Sequence, residues 1–436
     1  MARYRNPALS QLAGQQVRFA PRGVRLEQIE RAERFVDRLH VDRTYAYPDV
    51  CEEITGFRPD KYPDLVLSGI NRGGNLGLET VFSGTVGAGT VQVLATHRDE
   101  IARRSGRAIE VTAVSARDKS KDRGVDLSGA AWADDPVALA SDPNVDVVVE
   151  LIGGSEGTAK DLCEAALKNG KHVVTANKAL IAHHGQALAE AAENAGVALT
   201  FEAAVAGGIP ILKGLREGLA ANAIGRVYGI LNGTCNYILS EMRDTGREFD
   251  DILADAQAEG YAEADPSFDV DGIDAAHKLA ILASLAFGTQ IDFSSVHVEG
   301  IRHVSPADQD FASELGYGIK LLGIATETEG GIEQRVHPCM VPIDAPINHV
   351  GGVFNAVVAE GDFVDRVMME GRGAGAGPTA SAVVADIIDI ARGNMVPGFA
   401  RPATELTPPR PVSVAAHRGC YYMRFEVVDE PGVFAG

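Results

Sequence analysis

The sequence predicts an α/β fold, in which a doubly wound parallel sheet is followed by a second, α+β domain. Between residues 84 and 205, helical segments such as DLCEAALKNG alternate with Val-rich segments such as VDVVVELIGG and HVVTANK. Unbroken apolar strands that alternate with helices are typical of a parallel sheet covered on both faces. After Pro210 the helices lengthen and the strands become amphipathic, as in GILNGTC and HPCMVPI. The first part is therefore Rossmann-like, and the second is a separate unit.

The order of these patterns divides the chain into five segments. We predict an N-terminal extension of unknown role at 1–63, a nucleotide-binding domain with an atypical first strand at 64–205, a substrate-binding and dimerisation domain at 206–371, a return segment that packs on the nucleotide-binding domain at 372–411, and a short C-terminal unit at 412–436. Apolar positions at helical spacing in RLEQIERAERFVDRLH predict one amphipathic helix in the extension. Within the core, TVQVLATHRDEIARRSG and QALAEAAENAG are predicted helices, and IEVTAVSA and VALTFEAAV are predicted strands.

The composition limits the classes of function. The 436 residues carry a net charge of −20, which disfavours binding to the phosphate backbone of nucleic acid over a broad surface. The apolar runs are shorter than the roughly 20 residues that a membrane helix needs. Five cysteines lie far apart without a CxxC pair, which argues against a disulfide framework or a zinc ribbon. We expect a cytoplasmic enzyme that has a small-molecule substrate and neither a nucleic-acid nor a membrane partner.

A glycine-rich turn opens the core. A dinucleotide site needs a strand, a tight glycine turn and a helix whose free N–H groups face the pyrophosphate. Gly84 and Gly87 occupy the second and third glycine positions of that pattern, but Phe82 stands at the first. The preceding GLETVF is also a poor buried strand. The turn is therefore either a cofactor turn or a structural one, and in the first case we predict weak cofactor binding.

The end of the second strand indicates which cofactor is used. An acidic residue there would hold the ribose 2′-hydroxyl of NAD, whereas a basic residue accommodates the 2′-phosphate of NADP. The segment VSARDKSKDRG places Arg117 and Lys119 after the strand. We therefore expect NADP, with NAD possible, and the alternative is an ordinary solvated basic loop.

A carboxylate-rich stretch, GYAEADPSFDVDGIDAAHK, runs onto an apolar helix. Asp274 and Lys278 are four residues apart and therefore project from one helical face. A lysine beside a carboxylate can donate a proton to a carbonyl oxygen as hydride arrives. The alternatives are a solvated acidic loop and a cation site.

Taken together, these motifs resemble homoserine dehydrogenase, the enzyme that interconverts aspartate 4-semialdehyde and homoserine in threonine, methionine and isoleucine biosynthesis. The resemblance covers about residues 84–411 and rests on GTVGAG, EVTAVSARDKSKDRG, VVELIGG, VVTANKALIA, FEAAVAGGIPILKGLREG, GILNGTCNYIL, GYAEADPSFDVDGIDAAHK and GAGPTASAVVADI. It implies that Lys278 is the acid/base and Asp274 its orienting partner. It also implies that Lys178 lies between the nicotinamide and the substrate.

The resemblance implies further site residues and a homodimer. The substrate residues are Glu263, Asp269, Lys178, Gly233 and Thr234. The cofactor residues are Gly84, Thr85, Val86, Gly87, Arg117, Lys119, Lys178, Gly260, Gly375 and Gly377. Sodium or another monovalent cation is implied near the hinge, held by Glu202 and by the main-chain oxygens of Val205, Gly207 and Ile209. Oxygen ligands are those that a hard cation prefers.

The sequence departs from the family at both ends. DLVLSGINRGGNLG followed by SGTVGA, at about 64–89, resembles the SurE-type metal-dependent nucleotidases, in which Asn71 would be a metal ligand. This segment stands where the first strand of the family is missing. CYYMRFEVVDEPGVFAG resembles the start of an ACT regulatory domain that is cut short. Two alternatives follow: a hybrid chain that keeps the fold without turnover, and a SurE-like nucleotidase, although residues 1–63 lack the required Asp-Asp pair.

Overall fold

A computed structural model of the chain describes residues 15–19, 24–25, 65–68, 76–81, 84–116 and 118–426. The amphipathic helix predicted in the extension, Asn71, Phe82 and Arg117 therefore lie outside the described residues. The described N-terminal strands are β1 (Gln15–Phe19), β2 (Val24–Arg25), β3 (Leu65–Ser68) and β4 (Leu76–Val81).

The nucleotide-binding domain alternates strands and helices from β4 onward. Its elements are α1 (Gly84–Thr96), α2 (Arg98–Ser105), β5 (Ile109–Ala116), β6 (Ala131–Trp132), α3 (Pro136–Leu139), β7 (Val147–Glu150), α4 (Thr158–Lys168), β8 (His172–Thr175), α5 (Lys178–Ala195) and β9 (Leu199–Thr200). The valines of β7 have no solvent exposure. A fully buried valine contributes roughly 1.5–3 kcal/mol through removal of its side chain from water.

The strands of this domain form a parallel sheet in the order β6, β5, β4, β7, β8, β9. The chain fills the sheet outward from β4 on one side and then restarts at β7 on the other. In such doubly wound sheets a ligand binds at the carboxyl ends of the strands, where the strand order reverses. The predicted fold class is confirmed, and the reversal point lies between β4 and β7.

The prediction that the first parallel strand is missing was wrong. Leu76–Val81 forms that strand and pairs in parallel with both β5 and β7, directly before α1. The apolar segment Leu65–Ser68, in the SurE-like stretch, forms a strand that runs antiparallel to β5 and β7. Strand formation depends more on neighbouring strands than on intrinsic propensity, and here β5 and β7 flank the segment on both edges.

The segment VALTFEAAV also differs from its prediction as one strand. Only Leu199–Thr200 is extended, and Glu202–Ala204 forms a 3₁₀ turn. The buried Glu202 carboxylate accepts hydrogen bonds from the backbone N–H groups of Leu212 and Lys213. These bonds bend the chain away from the sheet and toward the second domain.

The second domain is built on a mixed sheet that is covered by helices. Its helices are α6 (Ile211–Lys213), which continues as a π-helical turn (Gly214–Gly218), α7 (Gly233–Thr245), α8 (Phe249–Ala258), α9 (Ser267–Val270), α10 (Ile273–Phe287) and α11 (Pro306–Glu314). Its strands are β10 (Ile224–Ile230), β11 (His297–Val298), β12 (Tyr317–Thr328), β13 (Gly331–Pro342), β14 (Phe354–Gly361) and β15 (Asp365–Arg372), in the spatial order β11, β13, β12, β10, β14, β15. Only β11 and β13 pair in parallel among these described strands. The buried face of α10 packs on β10 and β12.

The chain then returns to the nucleotide-binding domain through α12 (Ala376–Arg392). This helix packs against α1, and a Cβ atom at Gly89 would lie 2.8 Å from the carbonyl oxygen of Ala376. Glycine is therefore required at this helix crossing, because any side chain would separate the two backbones. Beyond it, β16 (Arg418–Gly419) pairs with β2, and β17 (Tyr422–Glu426) pairs with β1. The ACT-like start stays a prediction.

Candidate active site

The two residues with the predicted acid/base role lie on the first turns of α10. The helix begins after Gly272, whose φ of 86° places it in the left-handed region that favours glycine. The Lys278 ammonium donates to Asp274 Oδ2 at 2.7 Å and to the Leu231 carbonyl at 2.7 Å. Both side chains are more than nine-tenths buried. The four-residue spacing therefore produces the predicted contact and fixes the orientation of the lysine.

Lys178 reaches the same carboxylate from the other domain. It is the first residue of α5, which Asn177 caps by accepting a hydrogen bond from the Leu180 N–H. Its Nζ lies 3.1 Å from Asp274 Oδ1, and its side chain is 33% exposed, compared with 9% for Lys278. Asp274 thus lies between two ammonium groups. Of the two lysines, Lys178 is the more open to the interdomain cleft.

The charges in this cluster shift one another's pKa values. Burial opposes ionisation of Asp274, but the attraction of Lys278 and Lys178 outweighs it and holds the pKa of Asp274 well below its usual range. Burial likewise opposes the charge on Lys178, yet the attraction of Asp274, reinforced by Asp269 and Glu263, raises the pKa of Lys178. The ion pair is therefore maintained at neutral pH.

Asp269, on α9, is the second carboxylate of the cluster. Burial raises its pKa, and repulsion by Asp274 contributes further, to about 6. The Asn232 amide nitrogen donates to Asp269 Oδ1 at 2.8 Å and to Asp274 Oδ2 at 2.9 Å, so that it bridges the two carboxylates. Asn232 also caps α7 by accepting a hydrogen bond from the Cys235 N–H. Neither Asn232 nor the Leu231 carbonyl was predicted from the sequence, although an Asn before Gly-Thr is itself a helix-capping signal.

The remaining substrate-side residues surround this cluster. Thr234, in the first turn of α7, donates to the Tyr261 carbonyl at 2.9 Å. A Cβ at Gly233 would lie 2.7 Å from the Val353 carbonyl oxygen, so glycine is required for the close packing there. Glu263 is exposed, and its charge acts on Lys178. Gly260 has a φ of 77° and opens the loop that carries Tyr261 and Glu263.

The cofactor-side residues lie at the carboxyl ends of β4 and β5. Gly84, Thr85, Val86 and Gly87 form the first turn of α1, which follows β4 at the reversal of strand order. That strand, turn and helix arrangement presents backbone N–H groups to an anion. Gly375 precedes α12 with a φ of 112°, and Gly377 lies in its first turn, beside α1. These residues fit a dinucleotide, which supplies and accepts hydride when it is bound.

Basic residues surround a tryptophan after β5. The Lys119 ammonium lies 5.6 Å from the centre of the Trp132 ring, and the Arg123 guanidinium lies 5.7 Å from it. Arg123 also donates to the Asp118 carbonyl at 2.6 Å, which fixes its side chain. Lys119 was predicted from the sequence, whereas Arg123 and Trp132 were not, because their meeting depends on the pairing of β5 with β6.

The predicted cation ligands form a separate group at the hinge. Both Glu202 carboxylate oxygens accept backbone N–H groups, at 3.0 Å from Leu212 and 2.7 Å from Lys213. The chain turns next at Ala206 and Gly207, which have φ values of 54° and 36°, and the Ile209 carbonyl accepts the Ile211 N–H. The Glu202 carboxylate keeps unused lone pairs, because each oxygen accepts one hydrogen bond in the described region. Carboxylate and main-chain oxygens are the ligand types that a hard cation prefers.

Comparison with known proteins gives matches along most of the chain. The family model for the homoserine dehydrogenase NAD-binding domain matches residues 83–202, and that for homoserine dehydrogenase matches residues 210–388. The model for survival protein SurE matches residues 22–102. No group of three or more His, Cys, Asp or Glu side chains suited to a metal occurs in the part of the chain that the structure describes.

Individual relatives give the same result. A homoserine dehydrogenase of Pseudomonas aeruginosa is 51% identical over 358 residues, which cover 81% of this chain and 82% of the relative. That of Neisseria gonorrhoeae is 49% identical over 355 residues, covering 80% and 81%.

Solved structures agree with these relatives. The homoserine dehydrogenase of Thiobacillus denitrificans has a TM-score of 0.73 and 50% identity, covering 76% of this chain and 78% of the other. A hyperthermophilic archaeal homoserine dehydrogenase in complex with NADPH has a TM-score of 0.59 and 27% identity, covering 70% and 94%.

Proposed function

Because the chain belongs to the homoserine dehydrogenase family, we propose that Lys278, Asp274 and Lys178 carry out its reaction, the interconversion of L-aspartate 4-semialdehyde and L-homoserine. In the NAD(P)-dependent reaction of this family, hydride is transferred at one carbon of the substrate and a proton at the oxygen bonded to that carbon. The observation that carries these roles is the Asp274 carboxylate, which holds one lysine from each domain. This reaction belongs to threonine, methionine and isoleucine biosynthesis.

Lys278 is the proton donor for the aldehyde oxygen. An ammonium group has three N–H donors. Two of those on Lys278 are directed at Asp274 and the Leu231 carbonyl, which leaves the third for the substrate oxygen. As hydride reaches the aldehyde carbon, Lys278 donates this proton, and in the oxidation of homoserine it accepts the hydroxyl proton. Asp274 orients the ammonium through the 2.7 Å hydrogen bond that it accepts.

The polar end of the amino-acid substrate binds on the acidic side of the pocket. Its α-ammonium pairs with Asp269 and Glu263, and Gly233 and Thr234 line the pocket where α7 begins. Asn232 supports this role because it fixes the Asp269 carboxylate at 2.8 Å. Lys178, whose side chain is partly exposed in the interdomain cleft, lies between the nicotinamide and the substrate.

The preferred cofactor in this proposal is NADP(H). Lys119 and Arg123 place two positive charges beside the carboxyl end of β5, where a ribose 2′-substituent is read in doubly wound domains. Arg117 adds a third basic residue in the sequence. The relative from a hyperthermophilic archaeon was solved with NADPH.

A monovalent cation at the hinge forms a further part of the proposal, with Glu202 and the carbonyl oxygens of Val205, Gly207 and Ile209 as its ligands. The burial of Glu202 and the left-handed turn at Ala206 and Gly207 support such an oxygen cage. Replacement of sodium chloride by choline chloride at equal ionic strength is expected to lower the melting temperature of the wild type. It is expected to leave that of Glu202→Gln nearly unchanged. An equal response in both proteins would contradict the cation site.

We also propose a cytoplasmic homodimer. No described helix has the length and apolar character needed to cross a bilayer. Phe363, at the turn between β14 and β15, is 88% exposed, and its burial by a partner subunit would remove apolar surface from water. Light scattering on the purified chain and on Phe363→Ser tests this assembly. A monomeric wild type would contradict it.

The experiment that tests the activity is homoserine-dependent reduction of NADP⁺, followed at the absorbance of the reduced nicotinamide. We expect turnover by the purified chain, with the reverse reaction observed on aspartate 4-semialdehyde and NADPH. A protein that melts cooperatively but turns over neither substrate would support the hybrid without activity. Titration with NADPH tests the separate prediction that Phe82 weakens cofactor binding, which micromolar or tighter affinity would overturn.

A further inference from the structure

Glu150 is a buried carboxylate to which the proposed reaction assigns no role. It is the last residue of β7, has no solvent exposure, and follows three valines that are equally buried. Its Oε1 accepts the backbone N–H groups of Ile152 at 2.5 Å and Gly153 at 3.1 Å. Its Oε2 accepts the Thr175 hydroxyl at 2.5 Å. A carboxylate is removed from water only at a high cost unless such donors surround it. Its presence here therefore needs an explanation beyond filling the core.

The hydrogen bonds of Glu150 lead to the start of α5. The Thr175 hydroxyl oxygen accepts the Asn177 N–H at 2.9 Å. The Asn177 side chain donates to the Gly154 carbonyl at 2.7 Å, and it accepts the Leu180 N–H as the cap of the helix. The loops that follow β7 and β8 are thus joined in a closed circuit of hydrogen bonds. This circuit lies at the carboxyl edge of the sheet, next to the reversal of strand order.

Lys178 is the residue immediately after Asn177, and its ammonium must cross the cleft to reach Asp274. A lysine stem has several rotatable bonds and does not by itself fix the ammonium. The position of the ammonium therefore also depends on how firmly the backbone at Lys178 is held. Two groups of Asn177, its backbone N–H and its side-chain amide, hold this turn in place. Both belong to the circuit that Glu150 closes. Glu150 touches neither the substrate side nor Lys178 directly.

We propose that Glu150 is a positioning residue, which acts through Thr175 and Asn177 to hold Lys178 in its ion pair with Asp274. This inference rests on the proposed function of Lys178. Glu150 thereby connects the nucleotide-binding sheet to the catalytic cluster of the second domain. A shift of about 1 Å in a reacting or positioning group can lower a rate about a hundredfold. The contact that it maintains is the 3.1 Å ion pair between the two domains.

The test uses Thr175→Val, which has nearly the same volume but removes the hydroxyl that links Glu150 to Asn177. Thr175→Ser restores the hydroxyl. Thr200→Val, at the end of the neighbouring β9, is a matched control, because the buried Thr200 hydroxyl has no hydrogen-bond partner among the described residues. We expect kcat/KM for homoserine to fall about tenfold in Thr175→Val. We expect it to recover in Thr175→Ser and to stay at the wild-type value in Thr200→Val.

A double-mutant cycle separates positioning from general stability. If Thr175 acts through Lys178, then Thr175→Val will have almost no further effect on kcat/KM in a Lys178→Ala background. An equal loss in both backgrounds would overturn the inference, since a merely structural defect is independent of Lys178. Glu150→Gln, which keeps the shape and removes the charge, is expected to behave as Thr175→Val does.

A second measurement does not depend on turnover. Trace acetylation of lysines over a range of pH, quantified by peptide mass spectrometry against the exposed Lys168, reports the pKa of Lys178. Thr175→Val is expected to lower this pKa, because the ammonium moves away from Asp274, whereas Thr200→Val is expected to leave it unchanged. An unchanged pKa in Thr175→Val would overturn the inference even if the wild-type protein or Lys178→Ala were inactive. Absence of wild-type turnover alone would count against the proposed function.

Discussion

Lys178 Nζ lies 3.1 Å from Asp274 Oδ1, and this ion pair joins the first turn of a helix in the nucleotide-binding domain to the first turn of a helix in the second domain. The other oxygen of the same carboxylate holds Lys278 at 2.7 Å. One carboxylate therefore holds Lys178 of the nucleotide-binding domain and Lys278, the proposed acid/base, beside each other. The relative position of the two domains and the geometry of the reaction are thus coupled through Asp274.

Removal of the proposed acid/base, Lys278, is expected to abolish most of the activity while the fold persists. General acid–base catalysis contributes about 10²–10⁴-fold to a rate, so Lys278→Ala should lower kcat by an amount in this range. The measurement is homoserine oxidation at saturating cofactor, with a thermal melt to show that the variant is folded. Lys168→Ala, on the exposed face of α4, is the control and should match the wild type. A Lys278→Ala variant that keeps more than about a tenth of the wild-type kcat would contradict this role.

Asp274→Asn is expected to destabilise the protein in a pH-dependent manner. The folded pKa of Asp274 is held below its unfolded value by the two lysines, so the carboxylate contributes stability above about pH 4, and this contribution is lost as pH falls toward the folded pKa. Loss of one partner from a buried pair costs about 3 kcal/mol. Urea unfolding should show a deficit of this size at pH 7 that shrinks below pH 4. Asp310→Asn, on an exposed position of α11, should show no such trend. A deficit that is independent of pH would contradict the charge-based explanation.

The contact between Asp274 and Lys278 was predictable because it depends on local geometry. Asp274 and Lys278 are four residues apart on one helix, and that spacing alone brings their side chains together. The bridge from Asn232 to Asp269 and Asp274 joins residues that are 37 and 42 positions apart in the chain. Such contacts depend on how α7, α9 and α10 pack, and no spacing in the sequence reports that packing.

The first strand is a case in which sequence reasoning failed. The hydropathy of GLETVF led to the interpretation that the strand was missing, yet Leu76–Val81 occupies the central position between β5 and β7. A strand that lies between two neighbouring strands gains ladder hydrogen bonds on both edges. This gain outweighs a weak intrinsic strand preference. Analysis of one sequence segment at a time does not include the gain, because it depends on the neighbouring strands.

The Asp269 carboxylate is expected to make substrate binding sensitive to acid. Its folded pKa of about 6 means that it is charged at pH 7.5 and mostly neutral at pH 5. Because only the charged form attracts the α-ammonium of homoserine, KM should rise as pH falls through about 6. Initial rates at several pH values, with saturating NADP⁺, measure this dependence.

Asp269→Asn should raise KM at pH 7.5 about tenfold and remove its acid limb. Asp271→Asn is the matched control, because that carboxylate lies two residues away and pairs with Arg302 instead. An Asp269→Asn protein that retains the acid limb would assign this titration to another group. A change of kcat without a change of KM would argue against a role in binding.

The basic residues around Trp132 are expected to select the phosphorylated cofactor. The charged groups of Lys119 and Arg123 lie 5.6 Å and 5.7 Å from the ring centre, and Arg123 is held in place by the Asp118 carbonyl. Reversal of either charge should weaken NADPH binding about tenfold, which corresponds to ~1.4 kcal/mol, because the 2′-phosphate loses an attractive partner. NADH lacks that phosphate, so its Kd should change little. Lys121→Glu is the control, since Lys121 contributes only its backbone carbonyl to Arg123. Fluorescence titration of each variant with both cofactors gives the two constants. Equal losses for NADPH and NADH in Lys119→Glu and Arg123→Glu would show that these residues shape the pocket without reading the 2′-phosphate.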